Sequence, residues 1–382
     1  MCTLSYLSGI CMDAPENRQK QTKMIYKGEK LSVDSITRIL LIQLGDIGDV
    51  VLTTPTMRAL RQNFVSSTIF VLVHEHARGI VENCPWVDGT MSVEKDKRRL
   101  KEKINYHRNF LTSLRGGRFE LTIDLRGGTR GAILSFLSGA TIRMGRYSEN
   151  GILWRNRLFT HLVRPKNELD QYSSLHSLNI LAPLDLNIKD TSPALEVPPE
   201  KEDRALEILG KAKVPPDKPI IALHPFSRWD YKEWPIQNYI RLIDHIASRY
   251  PVSFVVTGAP EERHRAAEIR RSSTVNVYNL AGKTTISELP GVLKKCSLLI
   301  GIDSAAAHIA ASVDTPTTII FGPSSPTSWA PRGKQHHVVS MKLPCVPCRR
   351  KGCDNSGVSR CLHELDAQEV IAPVEKQIRG MI

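Results

Sequence analysis

The sequence predicts an α/β protein of two Rossmann-like, doubly wound parallel-sheet domains facing across a cleft. Short apolar runs that end in glycine or charged turns alternate with helical stretches, the pattern of parallel βαβ units. The pattern occurs twice, before and after a Pro-rich break, in halves of similar size. A chain of 382 residues, 41% apolar, is long enough for two cores.

In the first half, residues 1–30 read as a disordered leader, with Met24 a second candidate start. The continuous apolar strand Ile36–Gln43 then runs into Leu44-Gly45-Asp46-Ile47-Gly48-Asp49 and a helix from about Val50 to Asn63. This is not the dinucleotide fingerprint, because only Gly45 and Gly48 of the required glycines are present. The glycines let the backbone approach a ligand and put the Asp46 and Asp49 carboxylates at the mouth of the sheet. Asp49 has two readings, a general base for a hydroxyl in the cleft and a helix cap.

A strand at Thr68–Val73, a basic helix over 95–118 and a strand at Leu121–Leu125 follow. Next come a helix at Gly131–Leu137 and the turn Arg143-Met144-Gly145-Arg146. Arg126, Arg130, Arg143 and Arg146 follow predicted strands, where such sheets bind ligands. They suit bidentate contact with acceptor phosphates or carboxylates, and surface pairing is the alternative. The first domain is thus 31–190.

Seven prolines between Leu181 and Pro219 flank one charged helix, Glu200–Lys211, which marks 191–218 as an interdomain connection. The second domain, 219–365, opens on a strand at Pro219–Leu223, followed by the loop His224–Pro235 and a helix from Gln237 to Arg249. A strand at Val252–Val256 leads into Thr257-Gly258. A later unit is the most informative in the chain: strand Leu298–Ile302, Asp303-Ser304, a small-residue helix to Ser312 and strand Thr317–Phe321. A helix start at a strand end is an anion site, where Ser304 either caps the helix or donates to a phosphate oxygen, and Ala305 and Ala306 leave the backbone open.

The net charge of +13 asks for an anionic partner, and much of it lies between Lys95 and Arg118. Aromatic residues do not alternate with those charges and no nucleic-acid signature occurs, which favours a membrane surface or an acidic acceptor over nucleic acid. No apolar run is long enough to span a bilayer, and no secretory signal opens the chain, so a cytoplasmic protein is expected. Cys345, Cys348, Cys353 and Cys361 form C-x2-C-x4-C-x7-C. Such thiols bind structural zinc or an iron–sulfur cluster, pair under stress, or simply pack.

Taken together, Gly48-Asp49, Lys232-Glu233-Trp234-Pro235, Thr257-Gly258, Asn279-Leu280-Ala281-Gly282-Lys283-Thr284, Gly301-Ile302-Asp303-Ser304 with His308, and Phe321-Gly322-Pro323 resemble glycosyltransferase family 9, the ADP-heptose:lipopolysaccharide heptosyltransferases. The resemblance runs in order from Ile36 to Leu365 and implies a GT-B fold. It further implies that the C-terminal domain holds ADP-heptose and that the C-terminal helix, 366–382, packs back on the N-terminal domain. By the same resemblance, Asp49 deprotonates the acceptor, and Lys232 with the Ser304 to Ala306 turn neutralises the leaving diphosphate. Ser227, Thr257, Gly258, Asp303 and His308 fall to the nucleotide-sugar, and Gly48 with the four arginines to the acceptor. Inversion without a catalytic metal is implied, on a lipopolysaccharide or lipid A-Kdo acceptor at the inner face of the inner membrane. Two alternatives stay open: the same fold using another nucleotide sugar, and a catalytically silent glycan-binding or scaffolding member.

Overall fold

The computed structural model describes residues 24–31, 36–94, 100–149 and 154–381. Two sheets organise them. The first has seven strands: β1 (Ile25–Lys27), β2 (Arg38–Gln43), β3 (Thr68–His74), β4 (Gly89–Val93), β5 (Leu121–Asp124), β6 (Ile142–Arg146) and β7 (His161–Val163). Their order is β1-β7-β6-β5-β2-β3-β4, parallel except for β1. The second has six parallel strands: β8 (Ile220–His224), β9 (Ser253–Val256), β10 (Val277–Asn279), β11 (Leu298–Ile302), β12 (Thr317–Phe321) and β13 (His336–Ser340), in the order β10-β9-β8-β11-β12-β13.

Each order reverses once. The chain leaves β2 toward β3 and β4, then returns to β5 on the other side; likewise it leaves β8 toward β9 and β10, then returns to β11. A doubly wound sheet opens a crevice at that reversal, outside the carboxyl ends of the two central strands. The loops after β2 and β5 therefore meet in one half, and those after β8 and β11 in the other.

The central strands are apolar on both faces, as a parallel sheet covered by helices requires. Leu40, Ile42 and Leu72 bury against the helices Leu100–Gly116 and Thr129–Leu137, while Ile39, Leu41 and Val71 face the opposite core. The halves join where helix Ala305–Ser312 packs on helix Ile47–Val51. No helix among the described residues is long and apolar enough to cross a membrane.

Several expectations change. Residues 1–23 lie outside the described residues, but Ile25–Lys27 is not part of a disordered leader: it pairs antiparallel with β7 and closes the sheet edge. The helix expected from Val50 to Asn63 is two helices, Ile47–Val51 and Thr54–Asn63, the second with Pro55 in its first turn. The helix in the connection, Pro199–Lys211, packs on Leu289–Lys294 and belongs to the second domain.

The largest correction concerns the C-terminal helix, Ala367–Arg379. It does not return to the N-terminal domain but lies on the second domain's own helix, Ile236–Ala247, burying Val370, Ile371, Val374 and Ile378 in the same core as Ile243 and Ile246. Polar contacts fix it there: His245 lies 3.2 Å from Glu375, and Gln377 Nε2 donates to the Gln335 carbonyl at 2.9 Å. Its apolar stripe finds a partner at home, so nothing drives it across.

Candidate active site

Between the two reversals lies a cleft of about 780 Å³ lined from both domains. The first domain contributes Asp46, Ile47, Gly48, Asp49 and His76; the second contributes, among others, Ser227, Lys232, Gly258, Asp303, Ser304, Ala305, Ala306 and His308.

Asp49 is the third residue of helix Ile47–Val51, and its Oδ2 accepts the Asp46 N–H at 3.0 Å, so the capping reading holds. The same carboxylate faces the cleft and meets Arg126 Nη1 at 3.0 Å. Gly45 is what allows this, since a Cβ there would stand 2.5 Å from Asp49 Oδ2. Gly48 serves the domain contact: a Cβ would stand 3.1 Å from the His308 ring.

Across the cleft, Lys232 Nζ donates to Asp303 Oδ2 at 2.6 Å, which holds the ammonium beside the start of helix Ala305–Ser312. Ser304 caps that helix in extended conformation, and its Oγ is buried without a hydrogen-bond partner. The Nδ1 of His308, one turn on, is likewise buried and unpartnered, and burial holds this imidazole below its ordinary pKa. A lysine, a free hydroxyl and a helix N-terminus together make a site for a dianionic group. Arg228 Nη1 reaches Asp46 Oδ1 at 3.2 Å and ties the two walls.

Thr257 does not line the cleft. It is fully buried, donating to the Leu223 carbonyl at 3.2 Å and meeting His224 Nδ1 at 2.9 Å, so it orients His224, which does line the cleft. Arg143 and Arg146 are also corrected. They sit inside β6, not on a turn, and their guanidinium groups are taken up by carbonyls: Arg143 by Leu158 and Ala140, Arg146 by His176 as well as the Glu168 carboxylate. Arg130 is bonded to the Glu94 carbonyl at 3.2 Å. Of the four arginines, Arg126 alone reaches a cleft carboxylate.

The four clustered cysteines are free. Burial, with neighbouring Cys348, Cys353 and Cys345, pushes the Cys361 thiol up to about 11. Among the described residues, however, no three His, Cys, Asp or Glu side chains stand close enough to hold a metal ion. Cys361 is buried on the short helix Arg360–His363 while Cys345 is exposed. The segment also makes polar contacts with both domains: Ser359 Oγ donates to the Tyr231 carbonyl at 2.6 Å, and Arg349 reaches the Leu169 carbonyl of the first domain at 3.1 Å.

Sequence reasoning missed His76, Arg228, Trp229 and Glu262 as cleft residues, although each follows a strand end by a few positions. It also missed Arg155. This arginine has no exposure and makes bonds to the carbonyls of Arg126, Gly128 and Arg146 and to Asp124 Oδ2, pinning the loop that carries Arg126. No local motif marks it.

Residues 107–359 match Glycosyltransferase family 9 (heptosyltransferase). The chain belongs to glycosyltransferase family 9. It is 30% identical over 290 residues to lipopolysaccharide heptosyltransferase 3 of Escherichia coli, covering 74% of this chain and 83% of that one. It is 23% identical over 346 residues to lipooligosaccharide heptosyltransferase 2 of Haemophilus ducreyi, covering 87% and 97%. Among solved structures, a family 9 glycosyltransferase from Veillonella parvula superposes with a TM-score of 0.77 at 20% identity over 92% of this chain and all of the other. The E. coli ADP-heptose heptosyltransferase II superposes at 0.74 and 19%, over 90% and 99%. The family 9 fold accounts for both sheets and for a cleft built from two domains.

Proposed function

We propose that this family 9 enzyme transfers heptose from ADP-heptose to an anionic acceptor in the lipopolysaccharide core, inverting the anomeric centre. The observation that carries the reading is the opposition across one cleft of Asp49, on the first domain, to Lys232, Asp303 and the Ser304 helix start on the second. The names of the relatives, lipopolysaccharide heptosyltransferases, support the substrate class. A solved relative, E. coli heptosyltransferase WaaC, was obtained with ADP-2-deoxy-2-fluoro heptose, which supports the donor.

In this mechanism the acceptor hydroxyl oxygen bonds to the anomeric carbon as the bond from that carbon to the diphosphate oxygen breaks. The hydroxyl proton passes to Asp49 and ADP leaves. Negative charge grows on the leaving oxygen, so Lys232 and the helix dipole stabilise the transition state more than the bound donor. The ammonium and the helix N–H groups donate to the leaving oxygen directly, and the reaction we propose requires no divalent cation. The basic first domain suits work at the anionic inner face of the inner membrane.

Calorimetric titration of the protein with ADP, ADP-heptose and UDP-sugars, in buffer free of divalent metal, tests this. Binding of the adenine nucleotides alone is expected. Preference for a uridine nucleotide would keep the fold and replace the donor, and absence of all binding would overturn the reading.

A further inference from the structure

We propose that Arg126 guards Asp49, and that an anionic oxygen group on the acceptor, carboxylate or phosphate, draws the guanidinium away and so releases the base. The inference rests on the reading of Asp49 as the base.

The two residues meet for a topological reason. β2 and β5 are neighbours, with Ile42 opposite Asp124, and the loops that follow them carry Asp49 and Arg126 into the same crevice. Arg126 Nη1 then lies 3.0 Å from Asp49 Oδ2, an oxygen that already accepts the Asp46 N–H. Asp49 Oδ2 thus holds two hydrogen-bond donors at once, one for each lone pair, and must give one up before it can accept from a hydroxyl in the cleft.

The backbone and side chain of Arg126 are held very differently. Its N–H donates to Asp124 Oδ1 at 3.2 Å and its carbonyl accepts from Arg155 Nη2 at 2.9 Å, both partners being buried. Its side chain is 46% exposed and grips a carboxylate that is 20% exposed. Exposed pairs of this kind exchange partners at little cost, so a fixed backbone presents a guanidinium that an incoming anion can take over. Arg155 and Asp124 act as positioning residues beneath it. Arg126 belongs to the first domain and touches the cleft through Asp49, without itself being among the residues that line it.

The consequence is protection of the donor. Without acceptor, a water oxygen in the cleft bonds to the anomeric carbon only if a base takes its proton as the bond to the diphosphate breaks. With Asp49 Oδ2 engaged by Arg126 and the Asp46 N–H, that oxygen is withheld until an anionic acceptor arrives. The guard thus selects acceptors whose reacting hydroxyl lies near a negative group.

The test is acceptor-independent release of ADP from ADP-heptose by the full-length enzyme and by Arg126→Gln. The variant is expected to hydrolyse donor at least about tenfold faster, while its transfer kcat/KM falls mainly through a higher KM for acceptor. Adding Asp49→Asn to Arg126→Gln should remove the extra hydrolysis, and Arg126→Lys should restore part of the protection. Acceptors stripped of phosphate, or with their carboxyl groups reduced, show which anion operates the guard in the wild type: the one whose loss lowers kcat. A variant that keeps wild-type ADP affinity and wild-type hydrolysis would overturn the guard alone. Failure of the wild-type enzyme to bind ADP would overturn both the guard and the reading beneath it.

Discussion

At the reversal of the first sheet, Asp49 meets Arg126 with side chains 20% and 46% exposed; at the reversal of the second, Asp303 meets Lys232 with side chains 8% and 23% exposed. Both are acid–base pairs between loops that follow adjacent central strands, and Asp49, Lys232 and Asp303 line one cleft. The solvated pair is easily exchanged, whereas removing one partner of a buried pair leaves an uncompensated charge. On the proposed reading, the donor side is a fixed site, its ammonium held beside the helix start by Asp303, and the acceptor side an adjustable one.

The comparison is sharpened first by the groups nearest the chemistry. Asp49→Asn is expected to lower transfer by about 10²–10⁴-fold, the usual reach of a general base, checked by product formation under saturating donor. Lys232→Ala should cost about 10²–10³-fold in turnover, since it removes one fixed donor from the leaving group and frees Asp303, and it should also weaken ADP. If turnover of the lysine variant matches wild type, the fixed donor site is wrongly assigned.

Stability should separate the buried and solvated arginines of the first domain. Arg155→Met leaves Asp124 buried without its partner and is expected to cost about 3–5 kcal/mol in denaturant unfolding. Arg126→Gln should change the same measurement by no more than about 1 kcal/mol. Equal losses would mean that Arg126 is structural and that the contrast between its backbone and side chain is unimportant.

A smaller effect concerns the titratable groups under each crevice. Burial pushes the Asp124 carboxyl from its ordinary 3.8 up to about 7, against the pull of Arg126 and Arg155, and pushes the His224 imidazole from 6.5 down to about 4. The signs are opposite. For Asp124 the folded value is raised, so its contribution is full below about 3.8 and is lost as pH rises through about 7. For His224 the folded value is depressed, so its contribution is present above 6.5 and is lost as pH falls through about 4. Stability measured across that window should therefore gain a steeper rise with pH in Asp124→Asn and a shallower one in His224→Gln. Parallel curves for wild type and both variants would refute this assignment.

Much of this was legible in the sequence where a strand end, a glycine and a charged residue fall together. Asp49, Asp303 and Ser304 are such cases, whereas Lys232, eight residues past the end of β8 with no glycine beside it, was legible only through the family resemblance; the structure brings all four to one cleft. Thr257 follows the same rule yet turns inward, because its hydroxyl is spent on the Leu223 carbonyl and His224. Arg143 and Arg146 were expected on a turn because β6 carries two arginines among only five residues, a poor strand pattern; pairing with β5 and β7 imposes it. Three-residue strands such as β1 and β7 leave no periodicity to find. Arg155 was invisible for a different reason: its partners are mostly backbone carbonyls, which no side-chain motif records.

The most direct test of the division between a fixed donor side and an adjustable acceptor side is calorimetric titration of ADP into Asp49→Asn and Lys232→Ala, run beside wild type. The account predicts affinity within about twofold of wild type for the aspartate variant and a loss of about tenfold or more for the lysine variant, the scale of one charge-assisted contact to phosphate. Parallel losses in both, or unchanged affinity in the lysine variant, would contradict it.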